Sequence, residues 1–398
     1  MRNASSSVRL ASRLLIPLAL VLASCGGKKE APKEDPSKLP AVPKVSDLVA
    51  TDPGKPAATT ITDAEAEKLG RELAAAMSKC DAAGIDAIID SKAMHERSMA
   101  GLDPVMRAKL GGPISIGTAL CAGLGTESKV SFSRIAREGG EPKPRLRGIV
   151  QGGVNFFEVV LQRKPDGSVS GVDIFSFRNG EMMSALLSMG AKFASDPAGA
   201  QSYVNATKLF AAGDHKGARK AFLEVPASLR TKVKAVALFG LSIDAKLDEA
   251  TYQANMDAFV KQFPNDVSLP LIQIDSHTLR NEYPQLIEVL TELLKRSDQD
   301  PYVLSMRARA HLTAGNADKA LADAKVAVAA EPTLSAATDV LVDAAVAAKN
   351  DDEAVRGLRA MVEQGLAKAD LIAAMTADKQ YHAFQKSAAY KAWVAETP

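Results

Sequence analysis

The chain has 398 residues, 49 of them Lys or Arg and 47 Asp or Glu, with 46% hydrophobic and 5% aromatic residues and three cysteines. It carries no basic block and no interleaving of aromatic with basic side chains. The electrostatic footprint of a nucleic-acid binder is therefore missing, and no nucleic-acid partner is expected.

Arg2, Arg9 and Arg13 precede an apolar run from Leu14 to Leu22, and the next residues are Ala23, Ser24 and Cys25. That is a charged n-region, a short h-region and a small-residue cleavage site, so residues 1–24 are expected to be a signal peptide. The apolar run is about half of the roughly 20 residues a membrane-spanning helix needs. Leu22-Ala23-Ser24-Cys25 resembles the lipobox of bacterial lipoproteins. The resemblance implies cleavage before Cys25, acylation of its sulfur and amine, and a bilayer as the first partner; several acyl chains together hold where one is marginal. Gly26, where an Asp would retain the chain at the inner membrane, implies the outer membrane of the cell envelope, facing the periplasm. An ordinary signal peptide cut near a coincidental cysteine is the alternative. Without residues 1–24 the chain holds 46 basic and 47 acidic side chains, so the mature protein is close to neutral.

Residues 25–60 hold Pro32, Pro36, Pro40, Pro43, Pro53 and Pro56 among lysines and acids, with almost no clustered apolar residue. Such a stretch cannot bury enough surface to offset its ordering entropy and is expected to be a disordered tether. At about 3.1 Å per residue it reaches roughly 100 Å.

Residues 61–198 mix two periods. Thr62 and Asp63 offer an N-cap, Leu69, Leu73, Met77 and Cys80 recur on one helical face, and a second short helix is expected over Ile85 to Ile89. Strands are expected over Val130 to Ala136, Arg145 to Gln151, Asn155 to Arg163 and Val169 to Arg178, separated by Gly139-Gly140, Gly152-Gly153 and Pro165-Asp166-Gly167. Helices followed by a four-stranded meander make an α+β domain with the helices on one sheet face. This order, with the passage from Cys80 to Ile85 into a second helix, resembles the NTF2-like (cystatin-like) domains of secreted bacterial proteins. The resemblance implies a curved sheet around a pocket that holds a small molecule, a partner or nothing. Asp173 and Glu158 interrupt apolar strands and are read as solvent-facing, with a general base in the cone as the other reading. With Cys25 acylated, Cys80 and Cys121 are the thiols left in an oxidising compartment; they form a disulfide or remain two buried free thiols.

Residues 199–368 repeat every 34. Windows starting at 199, 233, 267, 301 and 335 carry Ala206, Gly240, Ile274, Ala308 and Val342 in the eighth column and Ala218, Tyr252, Leu286, Ala320 and Ala354 in the twentieth. Column 24 holds Phe222, Met256, Leu290, Ala324 and Leu358, and column 27 holds Val225, Phe259, Leu293, Ala327 and Met361. The period, the small residues and Pro264 and Pro332 in column 32 resemble the tetratricopeptide repeat. That resemblance implies five helical hairpins forming an all-α solenoid, closed by a cap over residues 369–398.

It also implies a groove lined by first-helix columns, here including Tyr203, Phe210, Leu271, Asp275, Tyr302, Arg309 and Asp343, for an unidentified protein or peptide partner. The Lys and Asn of the two-carboxylate clamp are absent from columns five and nine, so that specificity is not carried over. His277 and His311 share a column and read as packing residues before a metal pair, since no third ligand is evident. No nucleophile elbow, phosphate loop or metalloprotease spacing occurs, so no catalytic residue, metal or cofactor is assigned. The expected function is a membrane-anchored interaction scaffold; the rival is a small-ligand binder or enzyme using the N-terminal domain.

Changing Cys25 to Ala is expected to move the protein from the membrane to the soluble fraction. Unchanged fractionation, with no lipid mass on the wild-type N-terminal peptide, would contradict the anchor.

Overall fold

The computed structural model describes residues 60–396, apart from 105, 106, 108–111, 125–127, 151, 152, 190–192, 194 and 195. The leader, Cys25 and the tether up to residue 59 lie outside the described residues. An α+β region comes first and a long run of helices follows. The chain forms two compact units, the first ending at Val267 and the second starting at Ser268.

Helix α1 (Asp63–Lys79) begins with a capping box in which the Thr62 amide donates to Glu65 (2.9 Å) and the Glu65 amide donates to the Thr62 hydroxyl (3.3 Å). Arg163 also donates to Glu65 at 2.8 Å, and its guanidinium leads the causes that hold the Glu65 carboxyl down to about 2. Leu69, Leu73 and Met77 then face the core with Leu146, Phe157, Val159 and Ile174. Strands β1 (Lys129–Glu138), β2 (Glu141–Val150), β3 (Gly153–Arg163), β4 (Val169–Ser176) and β5 (Glu181–Met182) form an antiparallel meander in chain order. Five strands thus stand where four were expected; the fifth has two residues, too few to display a period. Pro142 and Pro144 are tolerated in β2 because β3 pairs with it only from Arg145 onward. Their missing N–H groups cost no ladder bond on that uncovered edge.

The expected second helix spans Ala82–Ile88, and two helices that the sequence period does not mark follow it. Helix α2 (Ala82–Ile88) is followed by α3 (Ser91–Ser98), capped by Asp90, whose carboxylate accepts from the Ala93 amide at 2.9 Å. Helix α4 (Ile116–Leu124) crosses α2 so closely that a Cβ on Gly117 would collide with the Ala82 carbonyl. Asp86 accepts from the Gly117 amide at 2.8 Å and fixes the crossing. Cys121 is thereby brought to Cys80, their Cα atoms 5.1 Å apart, and the two are joined as a disulfide.

The 34-residue period takes physical form in the second helix of each hairpin. These begin at His215, Glu249, Tyr283, Ala317 and Asp351, each 34 residues after the last. Asp214, Asp248, Glu282, Asn316 and Asn350 precede them as N-cap residues. Asp214, Asp248 and Asn350 accept a first-turn amide. The first helices are Pro197–Ala211, Lys234–Leu247, Leu269–Leu279, Pro301–Thr313 and Ser335–Ala347. Every residue of columns 8, 20, 24 and 27 is buried. Gly240, the exception among the apolar residues of column 8, is explained by packing: a Cβ there would lie 2.7 Å from the Phe222 ring. Leu371, Met375, Phe384, Tyr390 and Trp393 bury against Leu341, Leu358 and Met361 at the C-terminal end.

Within the first unit the sheet region and the first two hairpins are joined. Lys234 donates to the Gly180 carbonyl (3.1 Å) and to Asp266 (2.8 Å), and Met189 and Phe193 share a core with Tyr203, Phe222 and Phe239. The boundary between compact units therefore falls two hairpins beyond the change of sequence period at 198/199.

Denatured, unreduced mature protein is expected to show no free thiol on titration, Cys25 being acylated. The loop of 41 residues sets a stabilisation of about 4 kcal/mol by chain entropy, so reduction is expected to lower the melting temperature. Two titratable thiols would contradict the bridge.

Candidate functional site

The first helices of the last two hairpins carry a row of polar side chains. Asp300 caps Pro301–Thr313 by accepting from the amides of Tyr302 (3.0 Å) and Val303 (3.3 Å), which fixes the helix start and the direction of Arg309 three turns later. Arg309 donates to Oδ2 of Asp343, the same column one repeat on, and the Tyr381 hydroxyl donates to Oδ1 of that carboxylate. Asp339 stands one turn before Asp343. Much of the residue is exposed, yet desolvation of its carboxyl and the nearby Asp343 carboxylate push it above the usual carboxylate range, against the pull of Arg309. The Arg309 side chain keeps 42% of its surface exposed. Half-buried Met306, Leu312 and Val346 lie on the same two helices.

Of the seven groove residues expected, Arg309 and Asp343 meet in this row, and Asp275, half-buried, holds the same column one repeat earlier. Phe210 is half-buried against Phe239 (5.7 Å) and the His215 ring (5.1 Å). Three expectations need correction. Tyr203 is 5% exposed, packed between Phe193 and Phe239 with ring centroids 5.2 and 5.4 Å away, and burial pushes its hydroxyl pKa up. Leu271 is 2% and Tyr302 8% exposed. Their columns open onto the groove only if the first helical turn is exposed on one side, and here residues 268–272 and 302–305 are all buried. Asp339 and Tyr381 were not among the seven. Asp339 lies four residues before Asp343 and so on its helical face, a legible signal; Tyr381 comes from the cap, and nothing in its sequence neighbourhood points to Asp343.

The sheet region departs from expectation in another way. Glu158 and Asp173 are not solvent-facing but buried. Glu158 takes Arg145 Nε at 2.9 Å, and that guanidinium lies over the Phe177 ring at 5.1 Å. Asp173 accepts from the amides of Ile174 (2.9 Å) and Ser184 (3.1 Å) and from the Ser184 hydroxyl; desolvation still raises its pKa. A cavity of about 20 Å³ lies beside them, lined by Leu120, Phe157, Ile174, Ser176, Asn179 and Met183 among others. It has room for about one water molecule, and neither carboxylate lines it.

His277 Nδ1 lies 2.7 Å from Glu282, and His311 is buried, with desolvation lowering its pKa. Among the described residues no three His, Cys, Asp or Glu side chains are grouped to hold a metal, and no helix is long and apolar enough to cross a membrane.

No family model matches this chain. A search of curated proteins finds no match either. What the row of Arg309, Asp339, Asp343 and Tyr381 can do chemically follows from its groups: it offers a guanidinium, two carboxylates and a phenol, and no nucleophile with an adjacent base.

Proposed function

We propose that the protein is a lipid-anchored scaffold of the bacterial cell envelope that holds a protein or peptide partner on the first-helix face of its C-terminal repeats. The anchor reading rests on the Leu-Ala-Ser-Cys25 lipobox, and the tether carries the folded part away from the bilayer. One observation carries the binding reading: the Arg309–Asp343 pair, with Asp339 and Tyr381, on a face that also offers half-buried apolar side chains. A pair with one partner this exposed contributes about 0–1 kcal/mol to stability, so the fold does not depend on it. Arg and Tyr beside apolar surface are the residue types that dominate protein interfaces. The likeness of the 34-residue hairpins to tetratricopeptide repeats points to the same face, whose groove binds peptides in that family.

A photo-crosslinking amino acid at Thr313 or Ala347, exposed residues on the two first helices, is expected to capture a discrete partner in living cells. The same probe at Val326, 53% exposed on the second helix Ala317–Ala330, is expected to capture none. Capture at Val326 alone would overturn the reading.

A further inference from the structure

We infer that the C-terminal cap is a built-in occupant of the binding face: the Tyr381 hydroxyl holds the hydrogen-bond position on Asp343 that a partner's own donor must take. The inference rests on the scaffold reading above. Both oxygens of the Asp343 carboxylate that face this row are in use, Oδ2 by Arg309 and Oδ1 by Tyr381. With Arg309 and Tyr381 in place the Asp343 side chain keeps only 15% of its surface exposed, so an incoming Arg, Lys or Tyr side chain reaches Oδ1 by displacing the phenol that covers it.

The segment that delivers Tyr381 is built to let go without unfolding the repeats. Residues 378–387 comprise two single 3-10 turns, Lys379–Tyr381 and Phe384–Lys386, a weakly bonded form of helix. Their backbone bonds are local, from Tyr381 to Asp378, His382 to Lys379, Lys386 to Ala383 and Ser387 to Phe384. Phe384 is the firm anchor, buried with its ring 5.1 Å from that of Tyr390. Tyr381 is half-buried, and Lys379, Gln380, His382 and Ala383 around it are exposed. Tyr381 also packs against the C-terminal core, but the short-range backbone bonds and the exposed residues on either side of it place this segment among the first to open locally. A partner then binds only the fraction of molecules in which Tyr381 has left Asp343, and its apparent affinity is reduced by that fraction.

The test uses the full anchored chain with the photo-crosslinker at Thr313 and compares wild type with Tyr381→Phe. Losing the phenol's hydrogen bond is expected to raise capture at Thr313 roughly fivefold, with no capture gained at Val326. The protein's single tryptophan, Trp393, is buried in the cap against Tyr390 and reports on cap docking. In purified Tyr381→Phe its emission maximum is expected to stay at the wild-type value and the melting temperature within about 4 °C of it, as loss of one hydrogen bond requires. Equal capture by both chains would overturn the occupant inference and leave the scaffold reading standing. No capture at Thr313 by either chain would overturn both. A red-shifted Trp393 emission with a lower melting temperature would make Tyr381 a structural strut and overturn the inference on its own.

Discussion

The close crossing of paired helices is the constraint on which the C-terminal architecture depends. In the hairpin Pro301–Thr313 and Ala317–Ala330, Ala308 and Ala320 are fully buried, and larger side chains there would hold the backbones apart. At two crossings a glycine makes room for a large neighbour: Phe222 occupies the volume a Cβ on Gly240 would need, and Val342 that of Gly357. Filling a packed crossing with even one extra branched side chain costs about 1–3 kcal/mol. Because the second helices begin every 34 residues, each crossing recurs in the same register, and polar residues of one column fall on one face of successive first helices. Arg309 reaches Asp343 for that reason.

Much of this was legible in the sequence because it is periodic. The same columns carry apolar residues in nearly every window, and those columns are the buried core. The four longer strands showed their period between glycine turns, since each has one face on the Leu73–Phe157 core. What could not be read depends on tertiary enclosure. Tyr203 looks like a groove residue by column, but Phe193, from the segment after the sheet, closes over it. Leu271 and Tyr302 sit in helix starts buried on every side. Glu158 and Asp173 break apolar strands and so look exposed; each is matched by a partner, Arg145 across the β2–β3 ladder and Ser184 in the helix Met183–Leu187. Such pairings appear once register is known.

The same distinction separates the two regions functionally. In the sheet region Glu158 is held by Arg145 and Asp173 by Ser184 and the Ile174 amide, an arrangement that serves folding. In the last repeats the charged row stays partly open at Arg309 and is shared with Tyr381 from the short 3-10 turn of the cap. On the proposed reading, binding and stability draw on different side chains of the same helix, with the partly exposed Arg309 serving the first and the buried Ala308 the second.

If Arg309 serves recognition and not the fold, Arg309→Ala separates the two when melting and partner capture at Thr313 are measured on the same protein. A melting temperature within about 4 °C of wild type, as loss of roughly 1 kcal/mol requires in a domain of this size, is expected together with about tenfold weaker capture. A variant that melts far lower yet captures the partner as wild type does would contradict it.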